Sequence, residues 1–252
     1  KTYTPMAVKI GSDYKGLLYA FSENNAFLIF GTKENYYGGE SDYREPDVTT
    51  YDGTDSDTVD GKITKEKLKT EYNTMIASVL KYKGFYVARY EAGLDKTTKE
   101  IVFKDASIEE NNTITTDSTN TETSSWYGLY KKIKTFTTDS DKVVSNMIWG
   151  SQYDAMMNWM AKTGNIVGKA DETKRNDNAN RITGSSKNDR INNVFDLYGC
   201  HFEWTMENDV TDIRIYRGGS TAFDSPPTGY NGLRKPIDTY DFLSARATLY
   251  IK

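Results

Sequence analysis

Between Ser220 and Ser244 the chain becomes a run of Gly, Pro, Asp and Tyr without hydrophobic period, including Pro226, Pro227, Gly229, Gly232 and Pro236. Strand-like text flanks it on both sides. VFDLYG, HFEWTME and DIRIYRGGS lead in, and ARATLYIK closes the sequence. Alternation places Ala245, Ala247, Leu249 and Ile251 on one face of the closing strand, with Thr248 and Tyr250 on the other. Irregular segments longer than about 15 residues are uncommon inside compact domains and are usually functional. The fold must therefore let strands hold a long exposed segment at both ends.

Composition narrows the function classes. The 252 residues suffice for one large domain or two small ones. Hydrophobic residues make up only 37%, yet aromatics reach 13%, with 19 Tyr against 10 Phe. Many rings must therefore lie near water, as in a Tyr-rich contact surface. The net charge of −4, with no block of Lys and Arg, argues against a nucleic-acid groove or an anionic-membrane patch. A single Cys excludes an internal disulfide. No apolar run approaches the ~20 residues that span a bilayer, so direct membrane contact is not expected. The sequence opens on Lys1 rather than Met, which leaves open a leader or anchor upstream.

Residues 1–63 read as an extension packed on a domain formed by 64–252. LLYAFSENNAFLIFG, from Leu17 to Gly31, holds two apolar runs split by Glu23, Asn24 and Asn25 and predicts a hairpin. Asp42, Glu45, Asp47, Asp52, Asp55 and Asp57 offer carboxylates for Ca²⁺, but their spacing matches no EF-hand loop and a solvated loop is the plainer reading. A helix is predicted from about Lys65 to Lys81, with Leu68, Tyr72, Met75, Ile76, Val79 and Leu80 as its apolar stripe. Thr64 is its expected cap, and Gly84 lies just past its end. GFYVARYEAG and IVFKDAS read as strands, and Glu109 to Ser124 as a polar loop. A second helix is expected in SSWYGLYKKIK, followed by a linker from Thr135 to Val144. MIWGSQYDAMMNWMAKTG predicts a third helix, with Ser151 and Asp154 as a capping box, Tyr153, Met156, Met157 and Met160 inward, and Gly164 at its end. Asn165 to Asn192 is a further polar loop. The whole is an α+β fold with long irregular loops.

Several motifs resemble a known family. Asn193, Asp196, Gly199, Glu203, Trp204, Thr205, Arg217, Gly218, Gly219, Ser220 and Arg246 fall on the pattern N-x-x-D-x-x-G-N-V-x-E-W-T, R-G-G-S and a closing G-F-R. That pattern marks the formylglycine-generating-enzyme-like branch of the C-type lectin fold. GFYVARYEAG, SSWYGLY and MIWGSQYDAMMNWM also look like its segments, in family order, so the resemblance runs from about Leu68 to Lys252. The chain departs from the pattern at Gly199-Cys200-His201, where the family has Gly-Asn, and at Ser244-Ala245-Arg246, where it has Gly-Phe-Arg. The layout is also similar to diversity-generating retroelement variable proteins, which vary side chains near the C-terminus of this fold. On that resemblance the variable region spans about 195–246, and the setting is a phage virion (tail) or a bacterial cell surface.

The enzymes of this branch act through two cysteines after R-G-G-S. Residues 220–246 contain none, so that chemistry is not available here. Cys200 and His201 are adjacent in strand-like text and are expected to point to opposite faces, unable to share a proton. His201 has no second His to ligate a metal with. Met156, Met157 and Met160 read as core rather than as a soft metal site. Asp196, Glu203 and Glu207 read as structural carboxylates rather than as acid/base pairs. Trp204, Arg217 and Arg246 are expected to support the long segment, the arginines through bidentate hydrogen bonds to carbonyls or carboxylates. The expected ligand-binding set is Cys200, His201, Thr221, Phe223, Asp224, Tyr230, Asn231, Leu233, Asp238, Tyr240 and Phe242, with aromatic rings giving contact area and Asp residues discriminating. The partner is expected to be a protein or glycan ligand, and not nucleic acid. No cofactor is expected beyond a structural Ca²⁺. A structural or assembly subunit of a phage tail or pilus, and a divergent enzyme of the same fold, are the alternatives.

Overall fold

A computed structural model describes residues 3–10, 13–21, 63, 65–106, 113–115, 121–137, 140–162, 182–186, 190–208, 214–220, 230–234, 236 and 238–252. The architecture is mixed α+β, with few helices and several small sheets. A hairpin of β1 (Tyr3–Ile10) and β2 (Asp13–Phe21) opens the chain; of the hairpin expected within 17–31, residues 17–21 lie in β2 and 22–31 are outside the described residues.

Helix α1 (Lys65–Tyr82) buries Leu68, Tyr72, Met75, Ile76 and Val79, while Leu80 is only partly covered. Thr64 is outside the described residues. The helix stops on Lys83 rather than Gly84: Lys83 adopts φ 67°, and its N–H donates to the Val79 carbonyl at 2.8 Å.

GFYVARYEAG is not one strand. It is cut into β3 (Tyr86–Val87) and the start of β4 (Gly93–Asp95), with an irregular stretch between. IVFKDAS yields the short β5 (Ile101–Val102). The predicted polar loop at 109–124 contains β6 (Thr113–Thr115) and α2 (Thr121–Ser124). Strands β5, β4 and β6 form one antiparallel sheet.

Helix α3 (Trp126–Thr135) starts on Ser125, whose hydroxyl accepts the Gly128 N–H at 3.1 Å. It buries Trp126, Leu129, Tyr130 and Ile133, and Tyr127 as well. β7 (Val143–Met147) takes up the end of the expected linker. In α4 (Gly150–Lys162) the capping residue differs from expectation. The Trp149 N–H donates to the Gln152 side chain at 3.1 Å, and Ser151 is buried inside the first turn. Tyr153, Met156, Met157 and Met160 are buried together in a second, smaller core with Ile148, Ile191, Val194 and Leu197. Gly164 is outside the described residues.

The last quarter supplies β8 (Phe202–Asn208), β9 (Arg214–Arg217), β10 (Tyr230–Arg234), β11 (Leu243–Ala245) and β12 (Ala247–Ile251). One sheet runs β10-β9-β8-β11, with β11 parallel to β8. Another runs β3-β12-β7. VFDLYG is not a strand. Asn192, Asn193, Asp196, Gly199 and Cys200 all have positive φ, which winds 192–200 into successive turns. In β12 the more deeply buried of the two faces carries polar atoms. Thr248 and Tyr250 are buried, whereas Leu249 and Ile251 are only partly so. The Thr248 hydroxyl finds the Gln152 side-chain oxygen at 3.0 Å, which makes the polar side chain tolerable inside. The main core gathers Trp126, Trp149 and Trp204, all fully buried, around the inner faces of α1, α3, β8 and β12.

Candidate functional site

Two buried ion pairs frame the long segment. Arg217, at the end of β9, donates through Nε to Glu207 Oε2 at 2.6 Å and through a terminal nitrogen to Oε1 at 2.5 Å. Both side chains are fully buried. Arg246, between β11 and β12, donates through Nε to both oxygens of Glu203 at 2.9 and 3.0 Å, and through a terminal nitrogen to Oε1. Its remaining donors reach the carbonyls of Ala88 at 2.9 Å and Phe195 at 2.7 Å. One planar guanidinium thus fixes a carboxylate and two irregular backbone stretches at once. Burial raises the Glu203 pKa, and Arg246 draws it back down. Trp204 lies between the two carboxylates in β8, fully buried and edge-on to Tyr216 at 5.6 Å.

An aromatic series leads outward from that point. Tyr216 meets Phe202 at 5.0 Å, Phe202 meets Phe242 at 6.0 Å, and Phe242 stacks on Tyr240 at 4.9 Å. Tyr240 is 36% exposed, and the Arg234 guanidinium lies 5.4 Å from its ring centre. Phe242 is partly buried and packs on the main core, so it belongs to the support more than to an exposed rim. Asp238 is half-buried. Tyr230, Asn231 and Leu233 fall in β10, paired with β9, so the segment after Ser220 is not wholly irregular. Thr221, Phe223 and Asp224 are outside the described residues, as is the carboxylate run from Asp42 to Asp57.

Comparisons with family models, with curated proteins and with solved structures found no match.

Cys200 and His201 depart most from expectation. Both are buried, at 0% and 2% exposure, and so do not lie on an open ligand-binding face. Nor do they point apart: Cys200 Sγ is 3.2 Å from His201 Nδ1. Alternation of faces holds only for extended backbone, and Cys200 sits at φ 53°. A third residue joins them that sequence reading did not single out. Glu91 Oε2 lies 2.8 Å from the same Nδ1, and its Oε1 accepts the His201 backbone N–H at 3.3 Å. Glu91 is fully buried, and its pKa is raised well above the usual carboxylate range by that burial and by the nearby Asp196 and Glu203. Its signal in the sequence was a lone acid in the aromatic and small run GFYVARYEAG. Asp196 itself accepts hydrogen bonds from the Thr183 hydroxyl and, at 2.8 Å, from the Gly184 N–H.

Proposed function

We propose that the chain is a non-enzymatic ligand-binding protein that presents a replaceable recognition surface on a C-type lectin scaffold of the formylglycine-generating-enzyme-like branch. The observation that carries this reading is the doubly clamped segment. Arg217–Glu207 holds its start, Arg246–Glu203 holds its end, and the ring series from Trp204 to Tyr240 supports its described edge. Such a frame separates what keeps the chain folded from what meets a partner. Rigid aromatic side chains then give contact area at small entropy cost. The turn at 199–200 also supports the resemblance. Cys200 stands where that family carries Asn, and its φ of 53° is a conformation Asn tolerates well. Against a thiol enzyme, Cys200 Sγ and Glu91 Oε2 both approach one ring nitrogen, which gives no relay from acid through imidazole to thiol.

A display library tests the proposal without a known ligand. Thr221, Phe223, Asp224, Tyr230, Asn231, Asp238 and Tyr240 are randomised together and the pool is selected on an arbitrary protein such as lysozyme. The scaffold reading expects most members to resist protease as well as the parent, and binders to emerge. A pool that is mostly degraded would place those residues in the core and end the proposal. A reverse-transcriptase gene beside a near-copy of the region encoding about 195–246, differing at adenines, would establish that the surface is varied in nature.

A further inference from the structure

Display of a variable surface gives no role to the buried Glu91–Cys200–His201 cluster. Among the described residues, its three donor atoms lie within 4.8 Å of one another. A nucleophilic arrangement distributes its partners over both ring nitrogens, one for the thiol proton and one for the acid. Here thiol and carboxylate converge on Nδ1, so sulfur, nitrogen and oxygen surround one point.

We propose that this point binds one borderline-soft divalent cation of the zinc class, through Cys200 thiolate, His201 imidazole and Glu91 carboxylate. Sulfur, imidazole nitrogen and carboxylate oxygen are the donors such an ion prefers. Zinc bonds of about 2.0–2.3 Å at tetrahedral angles put neighbouring donors about 3.3–3.6 Å apart. The S···N distance of 3.2 Å and the N···O distance of 2.8 Å therefore need to open by about half an ångström or less, which side-chain rotation supplies. Three side chains fill three tetrahedral vertices and leave the fourth to a small donor such as water. The bound ion would tie the residue before Ala92 to the turn that launches β8. The site stands whether or not residues 220–244 form a recognition surface.

The test uses the full 252-residue chain, reduced and freed of metal with a chelator, then titrated with Co²⁺. The expected result is saturation at one equivalent, with a thiolate-to-cobalt charge-transfer band and the intense visible bands of four-coordinate cobalt, all displaced by Zn²⁺. Cys200→Ser should lose the charge-transfer band while keeping its near-ultraviolet circular dichroism. Glu91→Gln and His201→Ala should each weaken Co²⁺ binding at least ten-fold. Folded wild-type protein without that band overturns the proposal, and so does a band whose affinity is unchanged in both of the latter variants. A second measurement needs no variant. X-ray absorption of the zinc-loaded protein should find one sulfur beside nitrogen and oxygen neighbours, and a shell of nitrogen and oxygen alone refutes the assignment.

Discussion

Replacing Arg246 with Met tests the frame most directly. The substitution keeps much of the side-chain volume but removes every donor. Glu203 is then left buried near Asp196 and Glu91 without its counter-ion. Removing one partner of a buried pair costs about 3–5 kcal/mol. The carbonyls of Ala88 and Phe195 lose their guanidinium donors as well, at about 1–3 kcal/mol each where nothing replaces them. The expected loss is at least about 5 kcal/mol, comparable with the whole stability of a typical domain. Urea unfolding followed by tryptophan fluorescence measures it, since Trp126, Trp149 and Trp204 are all fully buried. Adding Glu203→Gln should restore about 2 kcal/mol, because the stranded charge rather than the lost volume dominates. The pH dependence has a definite sign. Glu91 and Glu203 both titrate above their ordinary 4.5 in the folded chain, so the stability they contribute is complete below that value and lost as pH rises through the raised ones. Without Arg246 the Glu203 pKa rises further, and the variant should lose stability more steeply than wild type as pH rises above 4.5. An Arg246→Met protein within about 1 kcal/mol of wild type, or a double variant no better than the single, would refute this account of the frame.

Three further substitutions probe the backbone. Lys83→Gly should stabilise by about 0.5–1 kcal/mol in chemical denaturation, because Lys83 is exposed and holds the left-handed position that ends α1. Gly218→Ala should cost about 1–2 kcal/mol although a methyl there meets only ordinary contacts at 3.4 and 3.5 Å, since the penalty comes from φ 87°. A melting shift indistinguishable from zero would show that this turn relaxes. Gly150→Ala should cost about 1–3 kcal/mol for a different reason: its Cβ would lie 2.4 Å from the Glu207 carboxyl carbon and push on the Arg217 pair. An unchanged thermal midpoint would mean that Glu207 moves aside freely.

The helices were legible because a stripe such as Leu68, Tyr72, Met75, Ile76 and Val79 encodes both the element and its buried face. Strands of two to five residues carry no comparable signal, and β3 and β11 exist through partners distant in sequence. Alternation in β12 separates two faces without saying which is buried, and the inward Thr248 hydroxyl is satisfied by Gln152, a partner no pattern names. The helix ends failed for a local reason: Gly84 and Ser151 were the standard residues, but Lys83 and Gln152 occupy the positions where the backbone needed them. At the candidate site, alternation could not foresee a left-handed Cys200, and no spacing rule links Glu91 to a residue more than a hundred positions away. The arginine–carboxylate frame was easier, since EWT and RGGS point to Glu203 and Arg217 and the closing motif to Arg246, though none of them says which pairs with which or names Glu207.

The chain passes from β11 to β12 through a single residue, and in that step it leaves one sheet for another. Arg246 is that residue, so a lone side chain is the pin on which both sheets hang. Amide protons of β11 and β12 should therefore exchange with solvent in one concerted opening, although no ladder joins the two strands. Whatever loosens the pin loosens the ground beneath the entire final quarter of the polypeptide.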